Sequence, residues 1–189
     1  MIYYKFIDDK VSKRDVQHKT GFELLQKAMR EEYGLDIIES DITSDKNGKP
    51  CFVSYRDTFF NISHCDGLCC VIVSPDEPCG IDCELIREHR PNVINRVFND
   101  DEAEWFGSLP CCDRDRYFYI LWTLKEAYGK FTGKGIADMK NVSFALNNGV
   151  LTSNKPQLDF FVYNRDNYIL SICTKKGTSS ECIFGKRIY

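Results

Sequence analysis

Three carboxylates and a lysine are the residues whose types and spacing could do chemistry. In Cys79-Gly80-Ile81-Asp82-Cys83-Glu84 an extended chain puts Cys79, Ile81 and Cys83 on one face and Gly80, Asp82 and Glu84 on the other. Two carboxylates held that close repel unless a cation neutralises them. Magnesium suits such a pair, because it takes a few carboxylates and completes its shell with water and phosphate oxygens; an exposed acidic strand end is the plainer alternative. Gly80 leaves room for a ligand beside them. Further along, Trp122, Lys125, Glu126, Gly129 and Lys130 recur at helical spacing and share one face, while Ile120, Leu121, Leu124, Ala127, Tyr128 and Phe131 form an apolar stripe. One carboxylate thus stands between two ammonium groups, a pattern that is also that of a solvated helix face. Asn61-Ile62-Ser63-His64-Cys65 ends a β-like run. Adjacent Ser63 and His64 diverge on a strand and no GxSxG elbow is present, so hydrogen bonding to an anion suits them better than nucleophilic catalysis. Gly48-Lys49-Pro50 is a turn carrying a cation.

The elements that must position these residues follow from periodicity. Residues 2–7 read as a strand, and a helical period in 19–33 runs through Phe22, Leu24, Leu25 and Met29 to Gly34. Loop chemistry fills 41–50, and β-like runs follow at 51–55, 58–62 and 68–73. Ser74-Pro75-Asp76-Glu77-Pro78 breaks the pattern and marks the best internal boundary. After it come a strand at 79–84, helices at 92–97 and 100–106, and a long helix at 116–131 stopped by Gly133 and Gly135. Further β-like runs lie at 141–146, 158–163, 168–173 and 181–184. Each part reads as strand, helix, then several strands, which predicts two related α/β halves, 1–75 and 76–189, with all three carboxylates in the second.

Composition removes other classes. The 189 residues are 43% hydrophobic and 28% charged, ordinary for a globular chain that buries its own core. No apolar run reaches the roughly 18 residues of a membrane span, and residues 1–9 lack a signal-peptide pattern, so a cytoplasmic protein without a membrane partner is expected. A net charge of −3 argues against a nucleic-acid binder and leaves any anionic ligand to local lysines. Ten cysteines without an export signal read as reduced thiols. Cys65, Cys79 and Cys83 with His64 are the one set that could be assembled around zinc, and no CxxC knuckle supports it. The glycines at 129, 133 and 135 follow a helix rather than open one, which fits neither a P-loop nor a Rossmann fingerprint.

Taken in order, GKP, FNISH, GIDCE and WTLKEAYGKFTGKG resemble the 4′-phosphopantetheinyl transferases of the larger, pseudo-dimeric class typified by the surfactin-synthetase activator. That family's GxDxE strand is met by Gly80, Asp82 and Glu84, its WxxKEAxxKxxGxG helix by Trp122, Lys125, Glu126, Ala127, Lys130, Gly133 and Gly135, and its SH motif by Ser63 and His64. The resemblance implies a pseudo-dimer of two halves, each a helix on a small, mostly antiparallel sheet, with coenzyme A in the cleft between them. It implies a monomer that transfers the phosphopantetheine arm of coenzyme A to a serine of an apo acyl or peptidyl carrier protein, in fatty-acid, polyketide or nonribosomal-peptide synthesis, releasing adenosine 3′,5′-bisphosphate. It further implies a magnesium site, or manganese in its place, made by Asp82, Glu84 and Glu126. Glu126 becomes the general base, direct or through water, and Lys130 the group that meets the leaving phosphate. Lys19, Lys49, Ser63, His64, Asp82, Lys125 and Lys130 become coenzyme A contacts. The chain departs from the family in a shorter segment before Lys19, where Lys10, Lys13 or Arg14 must stand for the basic nucleotide contacts. The rival classes are a DxE-type metal-dependent nuclease, which needs further aspartates and a basic groove, and a non-catalytic module that holds coenzyme A or a carrier.

Overall fold

The structure, a computed structural model, describes residues 1–7, 14–147, 150–178 and 186–187. Strand β1 (Ile2–Phe6) precedes helix α1 (Arg14–Tyr33), which stops at Gly34 with φ 67°. A hairpin of β2 (Ile42–Ser44) and β3 (Pro50–Phe52) leads into β4 (Thr58–Cys65) and β5 (Leu68–Pro75). The order then recurs: β6 (Cys79–Leu85), the short helices α2 (Pro91–Val97) and α3 (Asp100–Ser108), the long helix α4 (Cys111–Thr132), a hairpin of β7 (Phe144–Asn147) and β8 (Val150–Ser153), then β9 (Leu158–Arg165) and β10 (Tyr168–Lys175). A final strand, β11 (Lys186–Arg187), joins the edge of β9.

Sheet order makes the recurrence explicit. The first sheet runs β1-β5-β4 and the second β6-β10-β9-β11, with every pairing antiparallel. Leaving β11 aside, in each the opening strand lies beside the last strand and the last beside the one before it. Helix α1 packs on the first sheet and α4 on the second. The expected mixed α/β architecture with antiparallel sheets is therefore present.

Alternation along the strands explains the layering. Cys69, Val71 and Val73 of β5 bury against α1, whereas Leu68, Cys70 and Ile72 bury against Cys79, Ile81 and Cys83 of β6. Covered on both faces, β5 reads in sequence as an unbroken apolar run. The second sheet gives Ile169 and Cys173 to the core beneath α4 and Leu170 and Ile172 to the core between the sheets. The four layers are thus helix, sheet, sheet, helix.

Differences from the periodicity have simple causes. Helices α1 and α4 each begin five residues before their apolar period does, because a polar first turn facing solvent carries no hydrophobic signal. Cys111 and Cys112 lie in the exposed first turn of α4. The loop expected at 41–50 contains the β2–β3 hairpin, pinned by Asp45 Oδ1, which accepts from the amides of Asn47 (2.8 Å) and Lys49 (2.9 Å). Strand β8, four residues at a hairpin edge, was too short to stand out. The run at 181–184 lies outside the described residues.

Gly80 does not leave room for a ligand. A Cβ there would sit 2.0 Å from the carbonyl oxygen of Ala127 and 2.6 Å from the amide of Phe131, so the missing side chain is what lets α4 lie directly on β6. Gly80→Ala is expected to cost about 3 kcal/mol or more, or to abolish folding, because both obstructing atoms are backbone. Gly107→Ala, where nothing lies within 4 Å of the new methyl, should gain about 0.5–1 kcal/mol. Thermal denaturation of the two variants against the parent checks the contrast.

Candidate active site

Helix α4 is buried on nearly all sides, and within its central turns Trp122, Glu126 and Lys130, spaced four apart, are only partly buried. This stripe faces the carboxylate side of β6. Asp82 is 5% exposed. Its Oδ1 accepts from Lys130 Nζ at 2.7 Å and from Ser63 Oγ at 2.8 Å, and Lys130 Nζ also donates to Ser63 Oγ at 2.9 Å. Asp82 Oδ2 is buried with no hydrogen-bond partner. Trp122 favours the charged form of Glu84 against the effect of burial, and its ring stacks on Phe118 with centroids 6.1 Å apart.

The electrostatics follow from crowding. Burial, and then the charge of Asp82, pushes Glu84 up to about 8 and Glu126 up to about 7. Burial raises Asp82 as well, against the pull of Lys130. Burial works against the Lys130 ammonium, but Asp82 beside it prevails and holds the group above the ordinary lysine value. Three carboxylates therefore share one cation, which cannot neutralise them all.

As the side chains stand, no three His, Cys, Asp or Glu among the described residues converge into a metal-binding cluster, and Lys130 holds Asp82 Oδ1 instead. The donor set nonetheless suits a hard divalent cation. It is all oxygen, it includes an orphaned buried oxygen on Asp82, and it carries negative charge in excess of its partner.

The two sheets meet through side chains. Asn61 Oδ1 accepts from the amide of Ile81 at 2.9 Å, and Ser63 Oγ accepts from the amide of Cys83 at 3.3 Å. Residues 61 and 63 pair in step with 81 and 83, so β4 and β6 run parallel here, with side-chain oxygens standing where ladder carbonyls would be. The sequence does not single out Asn61, although two polar residues two apart, interleaved with Phe60 and Ile62 in β4, are the available signal. The same accounting corrects Ser63. Its one donor is spent on Asp82, and its oxygen accepts from Lys130 and Cys83, so the hydroxyl is a strut for Asp82 and not a free anion donor.

Clefts open on either side of this knot. One of about 270 Å³ is lined by Gly48, Lys49, Asn61, Gly129 and Lys130. The other, of about 330 Å³, is lined by His64, Glu84, Arg87, Arg90, Tyr119 and Trp122. His64 is exposed at the latter. Lys49 reaches the former but donates to the carbonyls of Cys79 and Phe131, both at 3.2 Å, and so also fastens the hairpin to the end of α4. Lys19 is not brought to either cleft; its side chain is 79% exposed and pairs with Glu23 at 3.9 Å.

Lys125 is the clearest correction. The expected place beside Glu126 on the open face is wrong, because one residue along a helix turns the side chain by about 100°. Its side chain is 0% exposed and meets Glu102 Oε2 at 2.8 Å, with further bonds to the carbonyls of Met139 (3.2 Å) and Val142 (2.7 Å). Glu102 in turn accepts from the amides of Asn99 and Phe144, both at 2.9 Å. All three ammonium protons are used, and none points to a cleft.

Residues 78–173 match the model of the 4′-phosphopantetheinyl transferase superfamily, a stretch that runs from β6 into β10 and carries Asp82, Glu84, Glu126 and Lys130. The chain is 31% identical over 168 residues to the 4′-phosphopantetheinyl transferase psf-1 of Bacillus pumilus, covering 85% of this chain and 72% of that protein. It is 32% identical over 125 residues to Sfp of Bacillus subtilis (strain 168), with 64% and 54% covered, and 37% identical over 107 residues to HetI of Nostoc sp., with 54% and 45% covered. The match thus spans about half the length of the last two relatives.

Removing the Lys125 ammonium would leave the Glu102 charge buried and unpaired. Lys125→Met is expected to lose about 3–5 kcal/mol in urea unfolding. Adding Glu102→Gln should recover part of the loss, since a neutral amide oxygen can still accept from Phe144.

Proposed function

Because the chain belongs to the 4′-phosphopantetheinyl transferase superfamily, we propose that it moves the 4′-phosphopantetheine arm of coenzyme A onto a serine of an apo acyl or peptidyl carrier protein, leaving adenosine 3′,5′-bisphosphate. The observation that carries the reading is the buried Asp82, bonded through one oxygen to Lys130 and Ser63 and orphaned at the other, with Glu84 and Glu126 near enough to feel its charge. A serine hydroxyl attacking a pyrophosphate needs its charge neutralised, its proton removed and its leaving group met. The site has a residue for each need.

Asp82, Glu84 and Glu126 would hold magnesium, or manganese, which when bound supplies Lewis-acid charge to the pyrophosphate oxygens. Glu126, on the open stripe of α4, accepts the proton of the carrier serine at a carboxylate oxygen, directly or through a water. Lys130 exchanges one of its present bonds for an oxygen of the departing phosphate and stabilises the charge that develops there. Ser63 keeps Asp82 in place as Lys130 turns. Trp122 favours the charged form of Glu84. Lys49 and His64, one at each cleft, are assigned to coenzyme A. The two recurring sets of elements support a pseudo-dimer divided at 75/76 with the coenzyme at the seam, and the carboxylates all in the second half.

Mass spectrometry of apo-carriers from fatty-acid, polyketide and nonribosomal-peptide systems, incubated with this protein, coenzyme A and magnesium, tests the reading: one or more should gain the phosphopantetheine mass. No gain on any of them would count against it. Glu126→Gln should keep the helical circular dichroism and lose about 10²–10⁴-fold in transfer. Lys130→Met should lower turnover more than coenzyme A affinity, whereas equal losses in both would reduce Lys130 to a binding residue.

A further inference from the structure

Tyr119 lies on α4 two turns before Glu126, and helical spacing puts Tyr119, Glu126 and Lys130 in line along one side of the helix. Its ring packs edge-on to Phe118 with centroids 5.2 Å apart, and the residue is 9% exposed. A phenol buried to that extent normally finds a hydrogen-bond partner. The Tyr119 hydroxyl has none among the described residues. Tyr119 lines instead the cleft of about 330 Å³ that Glu84 and Trp122 also line. Arg87 and Asp66, both exposed at the same cleft, answer each other in an ion pair. The phenol is left as a donor with nothing to donate to, and none of the steps assigned to the transfer uses it.

We propose that Tyr119 is a binding residue for coenzyme A, its hydroxyl donating to an amide carbonyl of the pantetheine arm laid in this cleft. The inference rests on the reading of the protein as a phosphopantetheinyl transferase. With the pyrophosphate held at Asp82 and Lys130, the nucleotide and the arm must leave it in different directions, and a cleft opens on either side of that knot. The arm is an uncharged chain of methyl, methylene and amide groups. Val93, Phe118 and Trp122 in the cleft suit its apolar parts, and a neutral phenol suits a carbonyl, which accepts a hydrogen bond without needing a charge beside it. Tyr119 stands about 10 Å along the helix from Glu126, so its hydroxyl meets the arm beyond the reacting phosphate and not the phosphate itself. Its depth also separates the arm from a carrier: a narrow chain can enter the cleft and reach a residue that is 9% exposed, whereas the surface of a docked protein meets the rim. A bond made equally to the bound arm and to the transition state strengthens binding and leaves turnover nearly as it was.

The test sets Tyr119→Phe beside the parent, both as the whole chain with magnesium present. Isothermal titration measures binding of coenzyme A and of adenosine 3′,5′-bisphosphate, which carries the nucleotide but no arm. The expected result is coenzyme A bound about three- to tenfold more weakly by Tyr119→Phe, with the bisphosphate bound as before. The KM for coenzyme A should rise by a similar factor while kcat holds, and the melting temperature should not fall, because the hydroxyl removed had no partner to lose. Unchanged affinity for coenzyme A, an equal loss for both ligands, or a loss confined to the KM for the carrier would each overturn the assignment. A lower melting temperature with unchanged affinity would make the hydroxyl structural and overturn it as well. If the parent binds both ligands and Tyr119→Phe matches it, this inference fails while the transferase reading stands; if the parent binds neither, that reading fails and takes the inference with it.

Discussion

A carboxylate that is 5% exposed must be met by hydrogen bonds and opposite charge, or it gives up its own charge. Most of what is distinctive in this chain follows from meeting Asp82. One partner, Ser63, comes from the first set of elements, and the other, Lys130, from the helix of the second. For Lys130 to arrive, α4 must lie against β6 at backbone contact, and Gly80 permits it. For Ser63 to arrive, β4 must run beside β6, and Asn61 holds it there. The second oxygen of Asp82 is left unmet. That residual demand, shared with Glu84 and Glu126, is what makes the knot a candidate for chemistry and not merely a buried ion pair.

The two sets of elements have the same order and the same sheet topology but unequal duties. The second brings Asp82, Glu84, Glu126, Lys130 and Trp122. The first brings struts and fasteners: Asn61 and Ser63 along β4, and Lys49 tying the β2–β3 hairpin to the end of α4. Helix α4 also answers to a third party. Its Lys125 is anchored to Glu102 of α3 and to the carbonyls of Met139 and Val142, so the helix is clamped from behind at the position next to Glu126. A helix buried on most sides and clamped on its back has little freedom to rotate its open stripe.

How much of this was legible in the sequence depended on whether the signal was local. The alternation of GIDCE and the recurrence of Trp122, Glu126 and Lys130 are local patterns, and the structure has both. The order strand, helix, strands was legible for the same reason. Lys125 and Ser63 were misplaced because their surroundings are not local: Lys125 waits on a glutamate twenty-three positions upstream, and Ser63 on an aspartate nineteen positions downstream. Gly80 suggested an opening, and only the packing of α4 reveals that the space is filled by backbone. Glu102 could be read as the end of a capping box with Asn99, and it is one, but its second duty toward Lys125 has no sequence signature.

The seam between β4 and β6 differs in kind from the ladders on either side of it. A ladder is made of peptide groups that every residue carries, so substitution seldom removes it. Here the rungs are the oxygens of one asparagine and one serine. The hydrogen bonding across this seam is therefore encoded in particular codons and is open to inheritance and drift. A lineage of such chains could loosen or tighten this seam by exchanging one side chain, with no change to the ladders inside either sheet.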